Sequence, residues 1–215
     1  YQHRIGTVAT QAAQNGAADP QLWSDICDEL RDCLRAISPR NISLSLSALA
    51  RVRHEDGPLL EHVASSLSAA WLRSFNAQDL ALLCSAFATF GHASPQLFGL
   101  CAGELPWKLP DAGPQELALV ACAAARVRAF EAALFRHLAA LSLRRLDDFG
   151  PRHLANVLHA FARVDAPAPE LFVRMSARLR LPGAAAELDP PGVAHGCFAA
   201  GRAAVRHPDL LREHA

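Results

Sequence analysis

Lysine is almost missing from this sequence of 215 residues: Lys108 stands alone, and the rest of the basic charge is arginine. The 21 basic side chains are matched by 21 acidic ones, so the formal net charge is zero. Non-specific affinity for nucleic acid comes mainly from neutralising phosphates. Zero net charge weighs against a free-standing RNA binder: such a chain must bind weakly, through a local basic edge, or where other proteins hold it. Choosing arginine over lysine leans toward forked or stacked contacts, although GC-rich coding leaves the same imprint.

Long apolar runs are also missing. The longest, residues 117–125, has nine residues, against roughly 20 for a membrane-spanning helix, so no membrane partner is expected. The chain starts at Tyr1 with no basic or apolar leader, and its ends do not report a location. The six cysteines, Cys27, Cys33, Cys84, Cys101, Cys122 and Cys197, include no pair at two- or three-residue spacing, which argues against a zinc site. Cys84 and Cys197 align with Leu46 and Leu158, which reads as small buried thiols in a reducing compartment. No glycine loop for phosphate, no paired histidines with a nearby glutamate and no Gly-x-Ser-x-Gly turn occurs. The ten histidines are scattered, with His153, His159 and His195 on different faces of their helices. The expectation is a noncatalytic protein with no cofactor, metal or small-molecule substrate.

What is present is a repeat. One anchor series runs Ile5, Ile42, Leu80, Leu117, Leu154, Val193, and a second runs Leu22, Leu60, Leu97, Leu134, Leu171, Leu210. Both advance by 37 to 39 residues per step, a period typical of stacked helical hairpins. The predicted fold is all-α: a right-handed α-solenoid of about six helix–turn–helix repeats, approximately 1–37, 38–75, 76–112, 113–149, 150–188 and 189–215, forming one domain.

Each repeat reads as two helices. The first carries apolar residues at i, i+3, i+4 and i+7, as in Leu80, Leu83, Cys84, Phe87 and again in Leu154, Val157, Leu158, Phe161. Ser38, Asn76 and Asp189 suit its N-cap, and Pro39, Pro114, Pro151 and Pro190 suit its first turn. The second helix starts at Pro20, Pro58, Pro95, Pro169 and Pro208, or at Ala132 where the proline is missing, and Trp23, Phe98, Phe135 or Phe172 follows the anchoring leucine. Two sets of small residues lie seven apart on the first helix: Gly6, Ser43, Ala81, Ala118, Ala155, Ala194, and Ala13, Ala50, Ala88, Ala125, Ala162, Gly201. They predict a stripe where neighbouring backbones approach closely. The first unit is more polar than its counterparts, and the last carries Gly192, Gly196 and Gly201 inside its first helix. Because a stack needs a polar outer face at its end, the 215 residues read as a piece of a longer chain, or as one whose end a partner covers.

Two polar rows follow the repeat. Arg51, Arg126, Arg163 and Arg202 recur at the end of the first helix, replaced by Gln14 and Thr89 in two copies, with Arg53 and Arg128 beside them. Stacked repeats would set these arginines roughly 10 Å apart. They read either as phosphate contacts or as cations that satisfy the last carbonyls and the helix dipole. The second row is Arg40, Gln78, Gln115 and Arg152, followed by Asn41, Asp79, Glu116 and His153, with Asn156 nearby. It reads as a set of base-reading side chains or as ordinary first-turn polarity.

The units resemble the repeats of octotricopeptide-repeat proteins and the related 37-residue helical repeats found with FAST-kinase-like and RAP-domain proteins. Leu154-Ala155-Asn156, Ala160-Phe161-Ala162 and Pro169-Glu170-Leu171-Phe172 carry the likeness most closely. No RAP-type segment is visible. The resemblance implies an organellar RNA-binding protein, mitochondrial or alternatively plastid, with ribosomal RNA and neighbouring proteins of a mitochondrial ribosome as partners. The competing expectation is a protein-interaction scaffold in an organellar assembly.

Overall fold

A computed structural model describes residues 4–92, 94–128 and 132–206. Among the described residues it contains α-helices and short 3-10 turns and no strand. The chain divides into two compact units, Tyr1–Lys108 and Leu109–Ala215.

The first unit contains α1 (Ile5–Gln14), α2 (Pro20–Cys33), α3 (Pro39–Val52), α4 (Gly57–Ser66), the single turn α5 (Ala69–Leu72), α6 (Ala77–Thr89) and α7 (Pro95–Lys108). The first helices of successive repeats pack on one another, α1 on α3 and α3 on α6. Anchors Ile5, Ile42 and Leu80 are fully buried, and each such side chain contributes about 1.5–3 kcal/mol of hydrophobic stabilisation. The helices begin where side chains take up free backbone donors. Ser38 Oγ accepts from Asn41 N at 3.4 Å. Asn76 and Asp79 form a reciprocal box in which Asn76 Oδ1 accepts from Asp79 N at 2.8 Å and Asp79 Oδ2 accepts from Asn76 N at 3.3 Å.

The second unit contains α8 (Pro114–Arg126), α9 (Ala132–Arg144), α10 (Pro151–Arg163), α11 (Pro169–Leu179) and α12 (Pro190–Arg206). Here α10 is the middle layer, packed on α8 on one side and on α12 on the other. Asp189, not a serine or asparagine, caps α12, its Oδ1 accepting from Gly192 N at 2.9 Å. At α8 the cap position is Gly113, and Glu116 Oε2 reaches back to accept from Gly113 N at 2.9 Å.

The stripe of small residues is where these layers meet. Ser43, Ala81, Ala88, Ala118, Ala125, Ala155 and Ala162 are buried. At Gly6 a Cβ would lie 2.7 Å from the backbone of Asn41, so α1 and α3 touch main chain to main chain. The stripe fades at its outer members: Ala13 and Ala50 are half-buried, and Ala194 and Gly201 are exposed.

Three expectations need correction. Val193 is 45% exposed and Cys197 is exposed, so in α12 these two are not core residues. The side of α12 that packs inward carries Gly192 and Ala199 instead. Pro208, Leu210 and Leu211, which the repeat pattern assigns to the next helix, lie outside the described residues. Four of the repeats also hold more than two helices, since a short third element follows α4, α7, α9 and α11. It appears as α5 and as 3-10 turns at Leu109–Asp111, Leu146–Asp148 and Ala184–Glu187. Leu72, Leu109 and Leu146 are buried in these elements and Leu34 directly after α2, and Ile37, Phe75, Ala112 and Phe149 are buried just before the next N-cap. Apolar residues before the N-cap fix the angle at which the chain enters each helix.

Candidate functional site

The arginine row sits on a recurring backbone turn. Gly16, Arg53, Gly91, Arg128 and Asp165 all have positive φ, between 56° and 70°, and they follow one another at 37, 38, 37 and 37 residues. Gly16, Arg53, Gly91 and Asp165 close their first helices by the same pair of bonds, and Arg128 N makes the first of the pair, donating to Ala125 O at 3.4 Å. Arg53 N donates to Ala50 O at 3.3 Å and His54 N to Leu49 O at 3.0 Å. Asp165 N donates to Ala162 O at 3.4 Å and Ala166 N to Phe161 O at 3.0 Å. This is a Schellman ending, whose left-handed position normally prefers glycine. Arg53, Arg128 and Asp165 occupy it without that ease. Arg126 and Arg163 are the last residues of α8 and α10, and Arg51 is the last but one of α3; each stands two positions before the turn.

The row divides by partner. Arg51, Arg53, Arg128 and Arg163 are exposed and make no ion pair among the described residues. Arg126 is exposed as well, and it takes part in an interaction within the fold. Arg202, on α12, is ion-paired with Asp165 at the end of α10. The end of α12 is not where Arg202 stands, contrary to the repeat pattern, because this helix runs on to Arg206; a side-chain ion pair to the neighbouring repeat accounts for Arg202, while Arg51, Arg53, Arg128 and Arg163 present their guanidiniums to solvent.

The second row turns out to be split in depth. Arg40, Gln78, Gln115 and Arg152 are exposed. Arg40 Nη1 donates to Gln78 Oε1 at 3.4 Å, and Arg152 pairs with Asp189 at 3.3 Å. The residues that follow them face inward. Asn41 Oδ1 accepts from Gly6 N at 3.2 Å, and buried Asp79 serves the cap of α6. Burial pushes the Asp79 carboxyl above its usual range, opposed by the Asn76 backbone bond and the charges of Arg40 and Lys108. His153 is half-buried, and desolvation, with Arg152 adding, lowers its pKa. Asn156 is also half-buried: its Oδ1 lies 2.8 Å from His195 Nδ1, and its backbone O accepts from Cys122 Sγ at 3.5 Å.

Packing of α12 on α10 produces an arrangement that the dispersed histidines did not suggest. His159 and His195 lie face to face, with ring centroids 4.0 Å apart and planes 11° from parallel. The edge-to-face neighbour of His159 is Phe198, at 5.1 Å, which remains 44% exposed. Burial pushes the His159 imidazole down to about 4, with the nearby charges of His195 and Arg163 adding to the effect. His195 is lowered by burial too. The pair is consequently a neutral aromatic surface near pH 7. A cleft of about 530 Å³ opens beside it, lined by Arg128, His159, Arg163, Val164, Asp165 and Phe198.

No protein-family model and no curated protein matches the chain. Of the residues singled out by sequence, Arg128, Arg163 and Arg202 come together around this cleft, with Arg202 contributing through Asp165. Arg51 and Arg53 lie at the corresponding turn of the first unit. Arg40, Arg152, His153 and Asn156 belong to the opposite ends or the middle of their helices. Sequence reasoning missed His159, Asp165 and Phe198. One signal was available: Gly16 and Gly91, at matching positions after a first helix, marked a left-handed turn, and the period carries it to Arg53, Arg128 and Asp165.

Proposed function

We propose that the chain is a noncatalytic helical-repeat protein that contacts organellar RNA through the arginine-bearing ends of its first helices. The carrying observation is the set Arg51, Arg53, Arg128 and Arg163, which recurs at one backbone turn and has no ion pair among the described residues. Forked donors directed at solvent suit phosphate oxygens. The likeness to octotricopeptide-type repeats supports a mitochondrial setting, or alternatively a plastid one, as a structural part of a mitochondrial ribosome or another ribonucleoprotein. Zero net charge favours a protein held in such an assembly over one that finds RNA alone.

The reading includes the architecture: six hairpins in one right-handed α-solenoid domain, so that equivalent turns fall in register. The layers α1 on α3 on α6, and α8 on α10 on α12, support it. Small-angle scattering of an elongated particle is the expected result, and a profile matching a compact bundle would reject the array.

Crosslinking of RNA to protein in the native complex, with the peptides identified, tests the function. Crosslinks at residues 51–54, 126–128 and 163–165 are expected. A second reading, a scaffold for other proteins, is favoured by Arg152–Asp189 and Arg202–Asp165, which tie neighbouring repeats together. Crosslinks only to protein would select it.

A further inference from the structure

The cleft lined by the end of α10, the turn after α8 and the middle of α12 combines two features that no single simple ligand explains. Arg128 and Arg163 offer guanidiniums without an ion pair among the described residues, while the one acid in the lining, Asp165, is engaged by Arg202. That leaves net positive charge in the lining of the cleft. Phe198, in the same lining, stays 44% exposed and is braced by His159, which is stacked in turn on His195. Asn156 holds His195 in place at 2.8 Å. An inorganic anion would use the arginines and leave the phenyl ring wet; an apolar ligand would use the ring and leave the arginines idle. A nucleotide has both parts, an aromatic base and a phosphate, and about 530 Å³ lies within the 300–1,000 Å³ typical of small-ligand clefts.

We propose that this cleft seats one unpaired nucleotide of an RNA strand, its base stacked on Phe198 and its phosphate held by Arg128 and Arg163. The base must be unpaired because within a duplex its faces are already covered by neighbouring bases. Arg128 holds a left-handed backbone position at φ 56°, where glycine stands in two of the equivalent turns. Strain of that kind persists where the surroundings impose it and is often found at binding sites. This inference rests on the RNA-binding reading above and adds a specific seat within it.

The test measures binding of the 215-residue chain to a short labelled single-stranded RNA, the same RNA as a duplex, and AMP, by anisotropy across a range of salt concentrations. Single-stranded RNA should bind more tightly than duplex. Phe198→Ala should weaken single-strand binding by roughly 5- to 150-fold, the range for loss of one base–aromatic stack, and Phe198→Tyr should restore it. Arg163→Gln should lower the slope of log K against log salt by about 0.7 in magnitude, the value for one lost phosphate contact on a single strand. Unchanged single-strand binding by Phe198→Ala overturns the cleft while leaving the RNA reading intact. Failure of the unaltered chain to bind any RNA, together with no RNA crosslink at residues 126–128 or 163–165 in the native complex, overturns that reading, and with it this seat. Saturation by AMP that single-stranded RNA does not displace would show a free nucleotide as the ligand and overturn the strand as its source. Circular dichroism of each variant separates lost binding from lost folding.

Discussion

The layers α1, α3 and α6 of the first unit and the layers α8, α10 and α12 of the second follow the same plan with different side chains. An offset of 112 or 113 residues carries one onto the other. Arg163 then corresponds to Arg51, Asp165 to Arg53, Arg128 to Gly16, His159 to Ser47, Phe198 to Ser85 and Arg202 to Thr89. Both middle helices end in the same Schellman turn, with closing bonds of nearly equal length. The aromatic wall occurs only where two small hydroxyls have been replaced by rings, and the Asp165–Arg202 pair only where Arg53 and Thr89 have been exchanged for them. The backbone device is thus generic. Ligand chemistry resides in a few positions around it, which the stacking of first helices brings together.

The strongest test of that contrast installs first-unit residues in the second. A chain carrying both Arg128→Gly and Phe198→Ser should bind single-stranded RNA at least tenfold more weakly, since it loses a charged contact and a stack. Arg51→Gln with Arg53→Gln should cost less, because Ser47 and Ser85 stand there at the positions of His159 and Phe198. Equal losses from the two double variants would erase the distinction between the units.

Stability follows the small-residue stripe. Ala88→Leu and Ala162→Leu each enlarge a fully buried contact and should cost on the order of 1–3 kcal/mol in denaturant unfolding. Ala194→Leu, on the exposed part of α12, should stay within about 0.5 kcal/mol. A stripe that tolerated all three would sink the close-packed layer model.

A smaller effect concerns the left-handed turns. Arg128→Gly should raise stability by up to about 1 kcal/mol, because relief of left-handed strain outweighs the extra freedom that glycine gives the unfolded chain. Gly91→Arg should lower stability by a similar amount. A raised melting temperature together with weaker RNA binding for Arg128→Gly would separate the roles of backbone and side chain at one residue.

The smallest effect is a pH dependence specific to the second unit. The His159 pKa falls to about 4 from an ordinary value of 6.5 through burial, and His153 and His195 are lowered as well. Between about pH 6.5 and 4 the unfolded chain therefore binds more protons than the folded one, and stability declines as pH falls through that window. The melting temperature should drop between pH 7.5 and 5.5, and His159→Gln should flatten the slope. Comparable melts of the unaltered chain at the two values would refute the assignment.

Much of this structure was legible before folding. The 37–39-residue period, the proline starts and the small stripe follow from local rules of helix capping and from close packing, which act on every copy alike. The third short element escaped notice, although Leu34, Leu72, Leu109 and Leu146 repeat at the same interval, because a single turn has too few residues to show helical periodicity. Asn41 and Asp79 looked like surface polarity, yet they turn inward to serve a close backbone approach and a cap. Whether a polar residue faces solvent depends on what lies beside it, and a single helix does not encode its neighbour.

By itself, the sequence determined that helices form, where most of them start, and at what interval the pattern returns; these depend on residues within a few positions of one another. Only tertiary packing decided that His159 meets His195, that Phe198 remains half in solvent, and that Asp165 is occupied by Arg202. Those partners lie 36 to 39 residues apart in the chain, and the distance is closed by α12 lying against α10.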